Sequence, residues 1–230
     1  MTISLEPNPD ISAFDAVVGR RSVRRFLPNP VPNAVVDRIL AAASRAPSGQ
    51  NMQPWQVQVV TGDTRNQLCK VVSDAVRAGE RSDEYDYFPA EIRDPYRSRR
   101  RKIGLDLFTI YGVGRDDHIG RQKALLSNFD FFGAPVGLFF TMEREWGYGA
   151  WIDIGNLMTN VMTLAPAFGL ATCPQQVWAE YGAAVRHVLS VPDDHVIVSG
   201  MALGIPDQHA PVNSLVTERV ATSQFVRLYD

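Results

Sequence analysis

The stretch from Ala150 to about Ala167 is apolar nearly all round, broken only by Asp153, Asn156, Thr159 and Asn160. A helix without a polar face has to be enclosed. In a chain of 230 residues, which can bury one sizeable core, enclosure on every side is expected to draw on a second subunit. Val136 to Thr141 makes a related demand, because it reads as a strand apolar on both faces and so belongs near the middle of a covered sheet. The length favours a single domain over 1–230.

The rest of the chain supplies elements in order. Ser12 with Asp15 makes a capping-box-like start to a helix whose Phe14, Val17 and Val18 share one face, ending around Gly19. Ser22 to Phe26 is expected to run extended, so that Ser22 and Arg24 point the same way and can share one ligand. After Pro28, Pro30 and Pro32, a second helix sets Val36, Ile39, Leu40 and Ala43 at helical spacing, and Pro47 stops it. Gln56 to Val60 alternates as a strand. Leu68, Val71, Val72, Ala75 and Val76 then make an amphipathic helix, beside which Cys69 reads as a small packing residue.

From Arg77 to about Arg101 the pattern dissolves into charges and aromatics, among them Tyr85, Tyr87, Phe88 and Tyr96. A loop of that length in a compact domain is functional or mobile, and the segment at about 77–120 is read as an insertion covering a pocket. Arg99 to Lys102 opens the next helix, with Ile103, Leu107, Ile110 and Tyr111 at helical spacing, and Asp116 or Asp117 caps another. Gly169 closes the apolar helix, and Pro174-Gln175-Gln176 reads as an amide-bearing loop. Val185, Val188 and Leu189 mark a short helix, and His195, read as structural, starts a strand that runs into Gly200 to Gly204. Asn213, Arg219, Phe225 and Leu228 lie along a tail with little core of its own, suited to lie across a neighbouring chain.

Two stretches carry the chemistry. Arg20-Arg21-Ser22-Val23-Arg24-Arg25 sets guanidinium forks and a hydroxyl where they can grip a phosphate. Ala46 to Trp55 brings small and amide-bearing residues between prolines, a cradle for a flat, polar ligand edge. The arginines alone would read as a solvated charged face; with the cradle they read as a site. Other chemistries lack their residues. His118, His187, His195 and His209 lie singly with no metal-ligand spacing, and there is no GxSxG elbow and no glycine-rich loop ending in Lys-Ser or Lys-Thr. Gly112-Val113-Gly114 does not complete a dinucleotide fingerprint. What remains is a bound, phosphorylated, planar cofactor that carries the difficult step itself.

Composition narrows the setting. Lys plus Arg number 23 against 25 Asp plus Glu, so the arginines are local features and general nucleic-acid binding is not expected. Cys69 and Cys173 form no CxxC pair, which points to a reduced, cytoplasmic setting. The opening residues have neither a basic start nor an apolar core, so no signal peptide is expected, and no run reaches membrane-spanning length.

Arg-Arg-Ser-x-Arg at 20–24, followed by Pro-Ser-Gly-x-Asn-x-Gln-Pro-Trp at 47–55, resembles the FMN-dependent nitroreductases. The resemblance continues through Cys173 to Gln176, Gly200 to Gly204 and Thr217-Glu218-Arg219, and so covers nearly the whole chain. It implies an α+β fold, a mixed central β-sheet flanked by helices, and an intertwined homodimer. By the same resemblance Arg20, Arg21, Ser22 and Arg24 match the motif that holds the phosphate and ribityl chain of FMN. Pro47, Ser48, Gly49 and Asn51 match the loop that reaches the flavin from the other subunit. Pro174, Gln175 and Gln176 match the strip along the isoalloxazine edge, with a backbone N–H near Gln176 facing N5. Asn128 matches an asparagine that contacts flavin, and Arg219 a late phosphate-binding arginine. No acid–base catalytic residue and no metal is implied.

The implied activity is ping-pong transfer of hydride from NADH or NADPH to nitroaromatic acceptors, nitro becoming nitroso and then hydroxylamine. The aromatic insertion resembles the branch acting on nitrobenzene- or nitrobenzoate-like compounds. Two departures bear on the site: Thr217 stands where many relatives have a basic residue, and Gln176-Val177 where many have Glu-Gly. Alternative readings are a flavin-dependent reductase of activated alkenes, quinones or halogenated phenols, a non-enzymatic FMN carrier or sensor, and a nucleic-acid-binding module resting on the arginines alone.

Overall fold

A computed structural model describes Ile3 and residues 5–230. Met1, Thr2 and Ser4, part of the opening stretch read for a signal peptide, lie outside the described residues. The helices are α1 (Ala13–Gly19), α2 (Asn33–Ala43), α3 (Gly62–Ala78), α4 (Tyr96–Ile110), α5 (His118–Leu126), α6 (Tyr148–Leu164) and α7 (Gly182–Leu189). The strands are β1 (Gln56–Val60), β2 (Val136–Glu143), β3 (Ala171–Gln175) and β4 (His195–Gly204). They form a four-stranded sheet in the order β1-β2-β4-β3.

Every strand pair is antiparallel. The parallel pairing of the expected mixed sheet is confined to isolated bridges, Ser22 to Thr172 and Ser82 to Tyr181. β2 and β4 take the middle, as the two-faced apolar pattern of Val136 to Thr141 requires, and all of β4 is buried. Alternation along the strands splits the core in two. Leu138, Phe140, Val198 and Met201 face α2 and α6, whereas Phe139, Ile197 and Ala202 face α3, α7 and the turn of 3-10 helix at Ser127–Gly133.

α6 turns Ile154, Leu157, Met158 and Val161 into this core but leaves Tyr148 92% and Ile152 67% exposed. The enclosure demanded by its composition is therefore finished on one side only within one chain. α1 shows the same feature. Ser12 Oγ accepts from Asp15 N at 3.1 Å, which caps the helix, and donates to Asp15 Oδ2 at 2.6 Å, so the carboxylate takes the hydroxyl in place of the Ser12 N–H of a full capping box; Phe14, Val17 and Val18 stay exposed. Asp117, not Asp116, caps α5, accepting from Gly120 N at 2.8 Å. Among the described residues no helix is long and apolar enough to cross a membrane, and no cluster of His, Cys, Asp or Glu is arranged to hold a metal.

Candidate functional site

The arginine segment leaves α1 at Arg20 in extended conformation and is laced to the β3 edge of the sheet. Val23 N donates to Thr172 O at 3.0 Å, and Phe26 N donates to Phe132 O at 3.1 Å. Asn213, from the tail, clamps the other side: its Oδ1 accepts from Arg24 N at 2.8 Å while its Nδ2 donates to Arg25 O at 2.7 Å and Asp207 O at 2.8 Å. A backbone held on both sides presents its side chains in fixed directions. Arg20 and Arg21 line a hollow of about 370 Å3 with Thr172 and Asn213, and neither meets a carboxylate among the described residues. Two unmatched guanidiniums on one hollow suit an anion.

Arg24 lies differently. It lines a separate hollow of about 510 Å3 with Tyr111, Lys123 and Ser127, and its Nη1 donates to Ser22 O at 3.2 Å. The Arg20 and Arg24 charges both reach Cys173, whose thiol is pushed up to about 11 by burial while the two guanidiniums pull it back. Burial likewise raises the Tyr111 phenol, against the pull of Arg24.

β3 carries the chain from the arginines to the amide strip. Pro174 and Gln175 are strand residues, opposite Met201 and Gly200, rather than the loop expected from their composition. Gln175 is buried; its Nε2 donates to Asn128 O at 2.7 Å, and its Oε1 has no partner. A buried amide oxygen left unpaired is costly and marks a place where a donor from a ligand would fit. Asn128 thus meets the strip through its carbonyl, because its side-chain Nδ2 is spent on Leu125 O at 3.1 Å at the end of α5. The strip is backed by Trp178, stacked on Phe131 with ring centroids 4.5 Å apart, and a Cβ on Gly200 would come within 2.4 Å of Trp178 Cδ1. Asn128, Pro174, Gln175 and Gln176 share a hollow of about 240 Å3 with Tyr87 and Phe88.

The cradle loop sits elsewhere. Gln50, Asn51 and Gln53 have positive φ, a strained path held by Ser48 Oγ, which accepts from Gln53 N at 3.0 Å. α6 holds the loop from below. Gly49 N donates to both Asp153 oxygens at 3.3 Å, Asn156 Nδ2 donates to Pro47 O at 3.2 Å, and Asn160 Nδ2 donates to Ala43 O at 3.1 Å. These are polar interruptions of the apolar helix, spaced so as to share one face. That spacing was in the sequence, and it was the signal for loop-holding residues the reading missed. The loop leads into β1, the edge opposite β3, about 14 Å away across three strand spacings. One chain therefore does not bring Pro47, Ser48, Gly49 and Asn51 into the hollows of Arg20, Arg21 or Gln176. Nor does it bring Arg219 there: that side chain is exposed and bonds its own loop, at 2.6 Å to Thr217 Oγ1 and 2.9 Å to Glu218 O.

The insertion enters the site through an anchored arm. Ser82 N donates to Glu180 O at 2.9 Å and Glu84 N to Ala179 O at 2.9 Å. The Glu84 carboxylate, 4% exposed, accepts from Arg186 at 2.8 and 2.7 Å and from Arg144. β4 skips Val198 in its pairing with β2, and the carbonyl so released accepts from Tyr85 OH at 2.6 Å. Burial pushes the Tyr85 phenol well above its ordinary value, so it stays a donor. The arm then delivers Tyr87 and Phe88 over the strip. Nothing in the period of this segment announced those anchors.

The chain is 37% identical over 213 residues to a chloronitrobenzene nitroreductase of Comamonas testosteroni, covering 92% of this chain and 94% of that one. It is equally 37% identical over 213 residues to a 4-nitrobenzoate reductase of Pseudomonas putida, covering 92% and 93%. Its fold superposes with a TM-score of 0.93 on the crystal structure of an FMN and NADPH-dependent nitroreductase, NfnB, from sphigopyxis sp. strain HMH, at 41% identity over 96% of this chain and 100% of that one. The model of the Nitroreductase family matches residues 17–205, and with the arginine segment, cradle loop and amide strip all inside that span, the chain belongs to the nitroreductase family.

Proposed function

We propose that this protein is an FMN-dependent oxidoreductase that moves hydride from NADH or NADPH to nitroaromatic acceptors. The observation that carries the reading is the geometry of β3: unmatched Arg20 and Arg21 at its start, and the unpartnered Gln175 Oε1 at its end. β3, from Ala171 to Gln175, spans about 13 Å, a length suited to a ligand with a phosphate at one end and a polar ring at the other. Bound FMN supplies the redox chemistry, accepting a hydride from the nicotinamide and passing it to the acceptor.

The chain's own residues bind and orient. Arg20 and Arg21 hold the phosphate, with Ser22 next to them in the chain and Arg24 in the neighbouring hollow; Asn213 holds the backbone of the segment at Arg24 and Arg25. Gln175 takes an N–H of the ring, Pro174 and Gln176 flank its edge, and Asn128 fixes the Gln175 amide. Trp178 and Phe131 close off water from behind. Each round consumes one NAD(P)H and one proton; the first converts nitro to nitroso and water, and the second converts nitroso to hydroxylamine.

A homodimer completes the site on this reading. The cradle residues Pro47, Ser48, Gly49 and Asn51 lie at the wrong edge to serve their own β3, and the bare apolar faces of α1 and α6 suit a second copy. Arg219, extended on the tail, would then reach the partner's phosphate. The insertion at about 77–120 covers the acceptor hollow. The nitroaromatic names of two relatives support the acceptor class, and the two free, buried thiols suit the cytoplasm.

Absorbance of the purified protein, then heat release and chromatography of any chromophore, tests the reading. One FMN per chain, retained less well by Arg20→Ala, is expected, together with NAD(P)H oxidation in the presence of nitrobenzene. A colourless protein that refuses added FMN overturns it.

A further inference from the structure

An unmatched positive charge lies over Phe88, one of the two aromatic residues lining the hollow beside Gln176. Three basic residues in and just before α4 are neutralised: Arg93 reaches Glu91 at 3.3 Å, Arg97 reaches Asp94 at 2.7 Å, and Lys102 reaches Asp106 at 2.8 Å and Glu218 at 3.3 Å. Arg100 meets no carboxylate among the described residues. Its neighbours at helical spacing are Tyr96, Arg97, Ile103 and Gly104, none of them acidic. Its guanidinium lies instead over Phe88, 4.5 Å from the ring centroid. Phe88 packs edge to face on Tyr87 at 4.5 Å, and both line the hollow that Gln176 and Asn128 share. Glu180, the carboxylate on that hollow, is matched by Arg81 at 3.5 Å.

A guanidinium over a ring face interacts through its charge, and with no carboxylate partner its N–H groups stay available to form the fork that suits a carboxylate or phosphate. Arg99 lies over Tyr96 at 5.6 Å, away from the hollow, and Arg101 stacks on no ring among the described residues. Of the uncompensated arginines on α4, Arg100 is thus the one that lies over a ring lining the hollow.

We propose that Arg100 is a specificity-determining residue that recognises a negatively charged group on the molecule entering this hollow, an assignment that rests on the flavin reading above. The shared chemistry is an anionic oxygen cluster, and two sources carry one: the 2′-phosphate of NADPH and the carboxylate of a nitrobenzoate-type acceptor. In a ping-pong cycle reductant and acceptor enter the site in turn, so either can meet the same arginine.

The test compares the unaltered protein with Arg100→Ala, Arg100→Lys and Arg101→Ala. Two ratios of kcat/KM are read: NADPH against NADH with nitrobenzene as acceptor, and 4-nitrobenzoate against nitrobenzene with NADH as reductant. Arg100→Ala is expected to lower at least one ratio by about ten- to hundredfold, the worth of a charge-assisted bond. Arg100→Lys should lower it less, and Arg101→Ala should leave both ratios in place. A fall in the first ratio assigns the phosphate, and a fall in the second the carboxylate. Unmoved ratios in Arg100→Ala, or an equal fall in Arg101→Ala, overturn the proposal. FMN content is measured in the same preparations. Absence of FMN from the unaltered protein overturns the flavin reading and this assignment with it, whereas full FMN with unmoved ratios overturns Arg100 alone.

Discussion

The segment after α3 has two halves held in opposite ways. From Ser82 to Tyr85 the chain is pinned to the 3-10 turn at Gln176–Glu180, to α7 and to the β4 bulge. From Tyr96 to Leu126, α4 and α5 bury no residue, and their ion pairs are open to water. The first half is part of the scaffold and the second is a surface arm. What separates them is desolvation: the same Arg–carboxylate chemistry fixes structure when the carboxylate is 4% exposed, as at Glu84, and contributes little when both partners are wet. A segment of this kind is therefore not one lid. Its root holds Tyr87 and Phe88 in place, and its outer helices offer charge.

The comparison can be broken by mutation. Glu84→Ala leaves Arg144 and Arg186 without their shared carboxylate, with Arg186 only 14% exposed, and should lower stability by about 3–5 kcal/mol in urea unfolding. A loss below about 1 kcal/mol would place the root with the outer arm. The core on which the root sits should also show its dryness in alkali. Burial raises the Cys69 and Cys173 thiols from 9.0 to about 11, so the unfolded chain loses those protons first as pH rises. Their contribution to stability is present below pH 9 and is lost between 9 and about 11, on the order of 2 kcal/mol per thiol. Unfolding curves of the native protein minus those of the Cys69→Ala, Cys173→Ala double variant isolate this loss.

A smaller effect sharpens the account of the bulge. Tyr85→Phe leaves Val198 O unpartnered and should cost about 1 kcal/mol, with a change in acceptor preference as the arm loosens. The smallest effect belongs to the outer arm. Lys102→Ala removes its ion pairs to Asp106 and Glu218, yet the urea midpoint should not move. A measurable shift there would show that α4 is bound to the body more firmly than its exposure indicates.

Much of the architecture was legible from period and spacing. The limits of β1 and the apolar strand of β2 followed from alternation and two-faced hydrophobicity, and the Ser12 cap from cap chemistry. Gly169 stops the chain as expected, but it closes a 3-10 turn at Ala165–Phe168, because α6 itself ends at Leu164 where Pro166 breaks it. The candidate site was legible because its arginines and its amide-bearing residues form contiguous runs in the chain. Where the reading failed, the cause was distance along the sequence. Pro174 and Gln175 looked like a loop by composition, but pairing with β4 made them strand. Asn213 looked like one residue of a loose tail, but it clamps Arg24 and Arg25 across 189 and 188 positions. The Glu84 anchor joins residues 102 and 60 apart, with no local pattern to betray it.

By itself, the sequence determined the elements, the family and the chemical type of each segment, since periodicity, capping and residue type are local properties. Only the tertiary structure decided which segments meet. It laid the arginines along β3, sent the cradle loop to the opposite edge of the sheet, and turned half of an irregular segment into scaffold. Those choices rest on strand pairing and on burying a charge against its partner, and both depend on residues brought together from far apart in the chain.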